Sequence, residues 1–107
     1  MGDLFMVVME LCEGVPWYNP SSDQKKLLLD ASRCLEESGL VHGDIRAPNV
    51  LMVGDGIRIL DFDWAGKAGE ARYPVALSEG VQWHKDAGAG KPIHVEHDQH
   101  MVSLLCG

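Results

Sequence analysis

Residues 42–66 read HGDIRAPNVLMVGDGIRILDFDWAG, and this stretch decides how the rest of the chain is read. It opens as a polar loop, His42 to Pro48, and continues through the apolar run Val50 to Val53. It turns at Gly54-Asp55-Gly56 and returns along Ile57 to Leu60. Glycines on both sides of an aspartate supply the positive φ of a tight turn, so a short β-hairpin with a functional loop at each end is expected. The loops carry the chemistry. Asp44 and Asn49 stand on the first, and Asp61 ends the returning strand. Phosphoryl transfer to a hydroxyl needs a carboxylate to orient and accept the proton of the attacking oxygen, and oxygen ligands to hold magnesium on the phosphates. Asp44 suits the first task. Asn49, with Asp61 carried back toward it by the hairpin, suits the second.

Working outward, Leu4 to Leu11 (LFMVVMEL) is apolar, rich in Phe and Val, and reads as a buried strand. Gly14, Pro16, Asn19 and Pro20 break the pattern as a loop. A helix is expected from Ser22 to Ser38. Ser21 or Ser22 caps it, Asp23 meets the positive end of its dipole, Leu27, Leu28, Ala31 and Leu35 recur at helical spacing, and Gly39 closes it. Beyond Gly66, glycines at 66, 69, 80, 88 and 90 fall among small and charged residues up to Lys91, with Tyr73-Pro74 and Trp83-His84 as the bulky anchors. That segment reads as a long surface loop. Ile93 to Leu105 reads as a weaker helix with Val95, Met101, Val102, Leu104 and Leu105 as its apolar set. The expected fold class is α+β.

A chain of 107 residues is one domain with a modest core. A hydrophobic fraction of 46% and a charged fraction of 23% suit a folded globular protein. The net charge of −7, from 16 acidic against 9 basic residues with no basic cluster, argues against a nucleic-acid partner. The longest apolar run, Leu4 to Met9, falls far short of the roughly 20 residues that span a bilayer, so no membrane partner is expected. Asp3 stands where a secretory signal would be basic. Cys12, Cys34 and Cys106 are odd in number and far apart, which fits reduced thiols and a cytoplasmic setting.

HGDIRAPNVL followed by IRILDFD resembles the protein-kinase pattern of catalytic loop, hairpin and DFG loop, and VVMELCEG resembles the segment linking the two kinase lobes. The resemblance covers about Phe5 to Gly66. It implies a partial protein-kinase-like fold over residues 1–107: lobe linker at 4–14, catalytic and metal loops at 42–66, and an activation-segment-like loop and terminal helix at 67–107. It further implies Asp44 as catalytic base, Arg46 as the cation steadying the transferred phosphate, and Asn49 and Asp61 as magnesium ligands at an ATP site. Phe62 would pack under that site. The backbone around Glu10 and Cys12 would hydrogen-bond the adenine, with Met9 behind it. A fungal kinase-like family with HGDIRAPN-type and DFDWAGK-type segments is the nearest resemblance. The implied acceptor is a protein Ser/Thr hydroxyl.

Gly43 replaces the arginine that many protein kinases place before the catalytic aspartate to pair with a phosphorylated loop, which argues against control by loop phosphorylation. HGD with Asn five residues on also occurs in aminoglycoside- and choline-type phosphotransferases, which leaves a small-molecule hydroxyl as the alternative acceptor. Arg46 leans toward the protein kinases. The glycine-rich loop, strand lysine and partner glutamate of the smaller lobe do not precede the linker in this sequence. The expectation is a piece of a longer kinase-like protein, with weak ATP binding and little turnover alone, or a non-enzymatic pseudokinase fragment.

Each of these residues also has a plainer reading. Asp44, Asn49 and Asp61 would stabilise turns without any catalysis, and Asp63 would cap one. His94, His97, Asp98 and His100 are clustered in sequence, but His100 swings off the face shared by His94 and His97, so a solvated helix start is expected in place of a metal site. Asp98 has a second reading through the kinase resemblance, in which an aspartate opening a central helix hydrogen-bonds the catalytic-loop backbone. The cysteines read as small buried residues, Trp17, Trp64 and Trp83 as packing, and Lys67 and Arg72 as solvated or as a greeting for a substrate phosphate.

Overall fold

The structure, a computed structural model, describes residues 14–107. The strand expected over Leu4 to Leu11, and with it Met9, Glu10 and Cys12, lies outside the described residues.

Two helices and two small antiparallel sheets make an α+β arrangement. Helix α1, Ser22–Glu37, starts where its sequence demands. The hydroxyl of Ser21 accepts the Gln24 N–H at 3.1 Å while the Gln24 side chain accepts the Ser21 N–H at 2.9 Å, a reciprocal capping box. The same Gln24 side chain donates to the carbonyl of Gly54 at 3.0 Å and so clamps the helix start to the hairpin turn. The helix ends one residue before the expected Ser38, which caps it, and Gly39, at φ +71°, turns the chain away as expected.

Strand β1, Val15–Pro16, forms inside the stretch expected as loop and pairs with β3, Val50–Val53. Strand β4, Gly56–Ile59, returns against β3 with Val50 opposite Ile59 and Val53 opposite Gly56, so the expected hairpin is present in that register. Gly54 takes the positive φ at the first of the two central positions, +58°. The second sheet joins β2, Leu40–Val41, to β5, Gly66–Lys67. Helix α2, Val95–Cys106, completes the fold and packs on α1.

The main core gathers Trp17, Leu28, Ile45, Val50, Met101 and Val102. Ile45 is fully buried although it sits in the polar loop. Burying a side chain of that size stabilises by about 1.5–3 kcal/mol, so Ile45 anchors the loop between Asp44 and Arg46. Trp17 adds a polar tie, donating its indole N–H to the carbonyl of Leu105 at 2.9 Å at the end of α2.

Residues 66–91 form the surface loop expected, with Tyr73 as its buried residue, but the loop is internally bonded. The N–H of Ile93 donates to Ala71 at 2.7 Å, that of Gly69 to Ile93 at 2.8 Å and that of Tyr73 to Lys91 at 3.0 Å, which folds the segment back on itself. Val41, Tyr73 and Ile93 form a second buried cluster, flanked by Trp64, Ala68, Ala71, Leu77, Trp83 and Ala87. No helix among the described residues is long and apolar enough to cross a membrane.

Candidate functional site

The loop after β2 is held by its backbone. Asp98, in the first turn of α2, accepts the N–H of His42 at 2.7 Å and of Gly43 at 2.9 Å with its two carboxylate oxygens, the arrangement that the kinase resemblance assigned to it. At 3% exposure this carboxylate is buried. Burial pushes its pKa up, while the two N–H bonds and the neighbouring His42 pull it down. His42 is the second pin. Its Nδ1 accepts the N–H of Asp44 at 3.0 Å, so the ring proton sits on Nε2 and is donated to the carbonyl of Leu60 at 2.8 Å. One imidazole thus links the first loop to the residue before Asp61.

Gly43 bends the chain between these pins at φ +90°. A Cβ there would lie 2.8 Å from Cδ1 of Ile93 and 3.3 Å from Cβ of Trp64. A side chain at this position would therefore strain the left-handed backbone and push Cδ1 of Ile93 aside.

The pinned loop presents Asp44, whose exposure is 4%. One carboxylate oxygen accepts Nε of Arg46 at 2.8 Å and the other accepts Nδ2 of Asn49 at 3.0 Å. Nδ2 of Asn49 also donates to the Asp44 carbonyl at 2.9 Å, which fixes the amide orientation with its nitrogen toward Asp44 and its oxygen at the opposite end. Ala47–Asn49 form a short 3₁₀ turn with Pro48 near its start, and this turn delivers Asn49 to that position.

On the second loop, the N–H of Leu60 donates to the carbonyl of Asn49 at 2.8 Å. Both backbone sides of the residue before Asp61 are therefore tied to the first loop. Asp61 is exposed and takes a left-handed φ of +57°. One of its oxygens accepts the N–H of Asp63 at 3.3 Å, so the side chain that closes the turn is that of Asp61, as its plainer reading expected, and not that of Asp63. Phe62 is not packed beneath the loops: it is 54% exposed and rests edge-on against His42, ring centroids 4.8 Å apart.

Among the described residues no group of three or more His, Cys, Asp or Glu side chains could hold a metal by itself. The donors present, a carboxamide oxygen at Asn49 and a carboxylate at Asp61, are hard oxygens. They fit magnesium, which keeps waters and phosphate oxygens and takes one or two protein ligands.

One residue with a place in this architecture was missed in the sequence. His97 was expected as part of a solvated helix start, but it is 2% exposed. Its Nδ1 accepts the hydroxyl of Tyr73 at 3.0 Å and the N–H of His94 at 3.3 Å, and its ring stacks on Tyr73. A histidine one residue before the loop-pinning Asp98, with a tyrosine in the Gly-rich segment to receive it, was the available signal. Cys34 is exposed, contrary to the expectation of buried cysteines, and Cys106 is half-buried with its thiol pushed up by burial. Arg72 is exposed and donates to the carbonyl of Gly90 at 2.9 Å. Lys67 is exposed on β5.

No protein-family model, no curated protein and no solved structure matches this chain.

Proposed function

We propose that the chain is the larger-lobe core of a protein-kinase-like phosphotransferase that uses ATP and magnesium to phosphorylate a hydroxyl, on protein Ser/Thr as the first choice of acceptor. One observation carries the reading: a buried carboxylate, Asp44, gripped on one oxygen by Arg46 and on the other by Asn49, in a loop whose backbone is pinned by Asp98. A turn that needed only local Asx bonding has no use for a helix carboxylate buried to hold it.

In this reading Asp44 orients the acceptor hydroxyl and takes its proton as the oxygen attacks. Arg46 places its positive charge beside Asp44, where charge on the moving phosphoryl group gathers. Asn49 and Asp61 hold the magnesium, which when bound neutralises charge on the phosphates. The tie from His42 to Leu60 links the two loops, which supports the reading because phosphoryl transfer depends on positioning.

Gly43 favours a second reading, a small-molecule acceptor, because no arginine stands there to answer a phosphorylated loop. Peptide and metabolite acceptor libraries, read for label from ATP, separate the two. The metal site is tested by thermal shift of the purified chain with and without magnesium-ATP. The expected result is a rise in melting temperature that Asp61→Asn removes; a rise that survives Asp61→Asn, or no rise at all, refutes the assignment.

A further inference from the structure

His97 is the meeting point of three parts of the fold. Its ring stacks on Tyr73 with centroids 5.7 Å apart and 23° between the planes, and Tyr73 in turn lies against Trp64 and Trp83 at 6.2 and 6.0 Å. In its own helical turn the residue that follows is Asp98, which holds the His42 and Gly43 amides. Around it stand further titratable groups. The ring of His84 lies 4.7 Å away, that of His94 lies 5.5 Å away, and His100 sits edge-on to His84 at 5.5 Å. Asp86 and Glu96 are the nearby acids besides Asp98. His84 itself accepts the Asp86 N–H at 3.0 Å, and His100 bonds the carbonyl of Gln82 at 2.8 Å.

We propose that the Tyr73–His97 pair is an acid-released latch: a proton taken at Nδ1 of His97 unseats Tyr73, frees the folded-back segment 68–93 from α2, and loosens the hold of Asp98 on the loop at His42 and Gly43. The bond inventory explains why. Nδ1 accepts two donors, the Tyr73 hydroxyl and the His94 N–H, so a proton there sets a donor against donors in a buried place. The Tyr73 oxygen can turn to accept the new proton, but its own hydrogen then loses its acceptor and the His94 N–H still faces an N–H. The added positive charge also falls in the first turn of α2, at the positive end of the helix dipole. Burial first, then the neighbouring His84 and His94 rings, hold the His97 pKa below its ordinary value, with Asp86 and Glu96 pulling the other way. The unfolded or released form takes its proton near about pH 6.5 and the latched form only below that. Latching therefore weakens as the pH falls from about 6.5 toward the lowered value, and is fully present above it.

The latch acts on the loop whether or not the loop transfers phosphate, and its test needs no activity. In ¹⁵N-labelled chain, between pH 7.5 and 5, His97 is expected to carry its proton on Nε2 at the upper end and to take a second proton only below about pH 6.5. Over the same range, after correction for intrinsic chemistry, exchange of the His42 and Gly43 amides is expected to quicken by at least about tenfold. The Leu28 amide, in the main core, serves as the global reference and stays protected. His97→Gln keeps an acceptor for the Tyr73 hydroxyl and cannot titrate, so its His42 and Gly43 exchange is expected to be flat. An acid response that persists in His97→Gln, or one shared equally by Leu28, overturns the latch. Should His97→Gln fail to fold, the wild-type titration decides alone, and a His97 that takes its second proton at or above about pH 6.5 overturns it.

Discussion

Asn49 donates to Asp44 twice from one nitrogen, to its carbonyl at 2.9 Å and to its carboxylate at 3.0 Å. Asn49→Asp replaces that donor with a second acceptor and sets two carboxylates against each other in a buried loop. The expected cost is on the order of 1–3 kcal/mol at pH 7, from the lost bonds and the like charges. The cost shrinks at acid pH, where the pair can share a proton. Urea unfolding of both proteins at pH 7 and pH 4.5 checks this, and a gap independent of pH speaks against the contact.

Asp98→Ala leaves the His42 and Gly43 amides without a partner. Each unmet buried amide costs about 1–3 kcal/mol, so the variant is expected to be among the most destabilised single changes in the chain. Asp98→Asn should fall between, since its one oxygen can serve only one amide well. Calorimetric melting ranks the three, and an order in which Asn is worse than Ala would contradict the bonding described.

Gly43→Ala meets both a left-handed backbone and the Ile93 and Trp64 side chains. A loss of about 1–3 kcal/mol is expected, while Gly54→Ala, whose added Cβ meets open space, should cost only the backbone strain of about 1 kcal/mol. Equal costs at the two positions would show that the packing at Gly43 is looser than the distances say.

Tyr73 gives an alkaline prediction. Burial first, and then the charges of Asp98 and Asp44, push its phenol pKa well above the ordinary value. The folded chain therefore keeps the phenol proton to a higher pH than the unfolded chain does. The stability this confers is present below about pH 10 and is lost as the pH climbs beyond it. Urea midpoints measured from pH 8 to pH 11.5 should fall in the wild type and fall less in Tyr73→Phe; parallel curves would exclude the phenol as the cause.

The parts of the fold legible in the sequence were those written in local chemistry. Ser21 and Gln24 sit at capping-box spacing, and Gly54-Asp55-Gly56 lies between two apolar runs, so helix α1 and the β3–β4 hairpin follow from neighbours in the chain. The grouping of Asp44, Arg46 and Asn49 was legible for the same reason. What was not legible was non-local. The folded-back segment from 68 to 93 has no apolar period of its own, and its shape comes from bonds such as Ile93 to Ala71 and from the burial of Tyr73. His97 was misjudged because its partner, Tyr73, is 24 residues away. Even α1 shows the limit: Leu27 was expected on the core face, yet it is exposed, and the buried stripe runs through Gln24, Leu28 and Ser32, set by the hairpin that Gln24 must reach.

Asp61 adopts a backbone conformation that a side chain makes costly and glycine makes free. Asp61→Gly is therefore expected to raise the melting temperature slightly while removing the carboxylate that the proposed function requires. Stability and chemistry pull this residue in opposite directions. A laboratory selection for heat resistance that never asks the protein to work would favour the glycine, and would arrive at a sturdier molecule without the carboxylate that the proposed function asks of it.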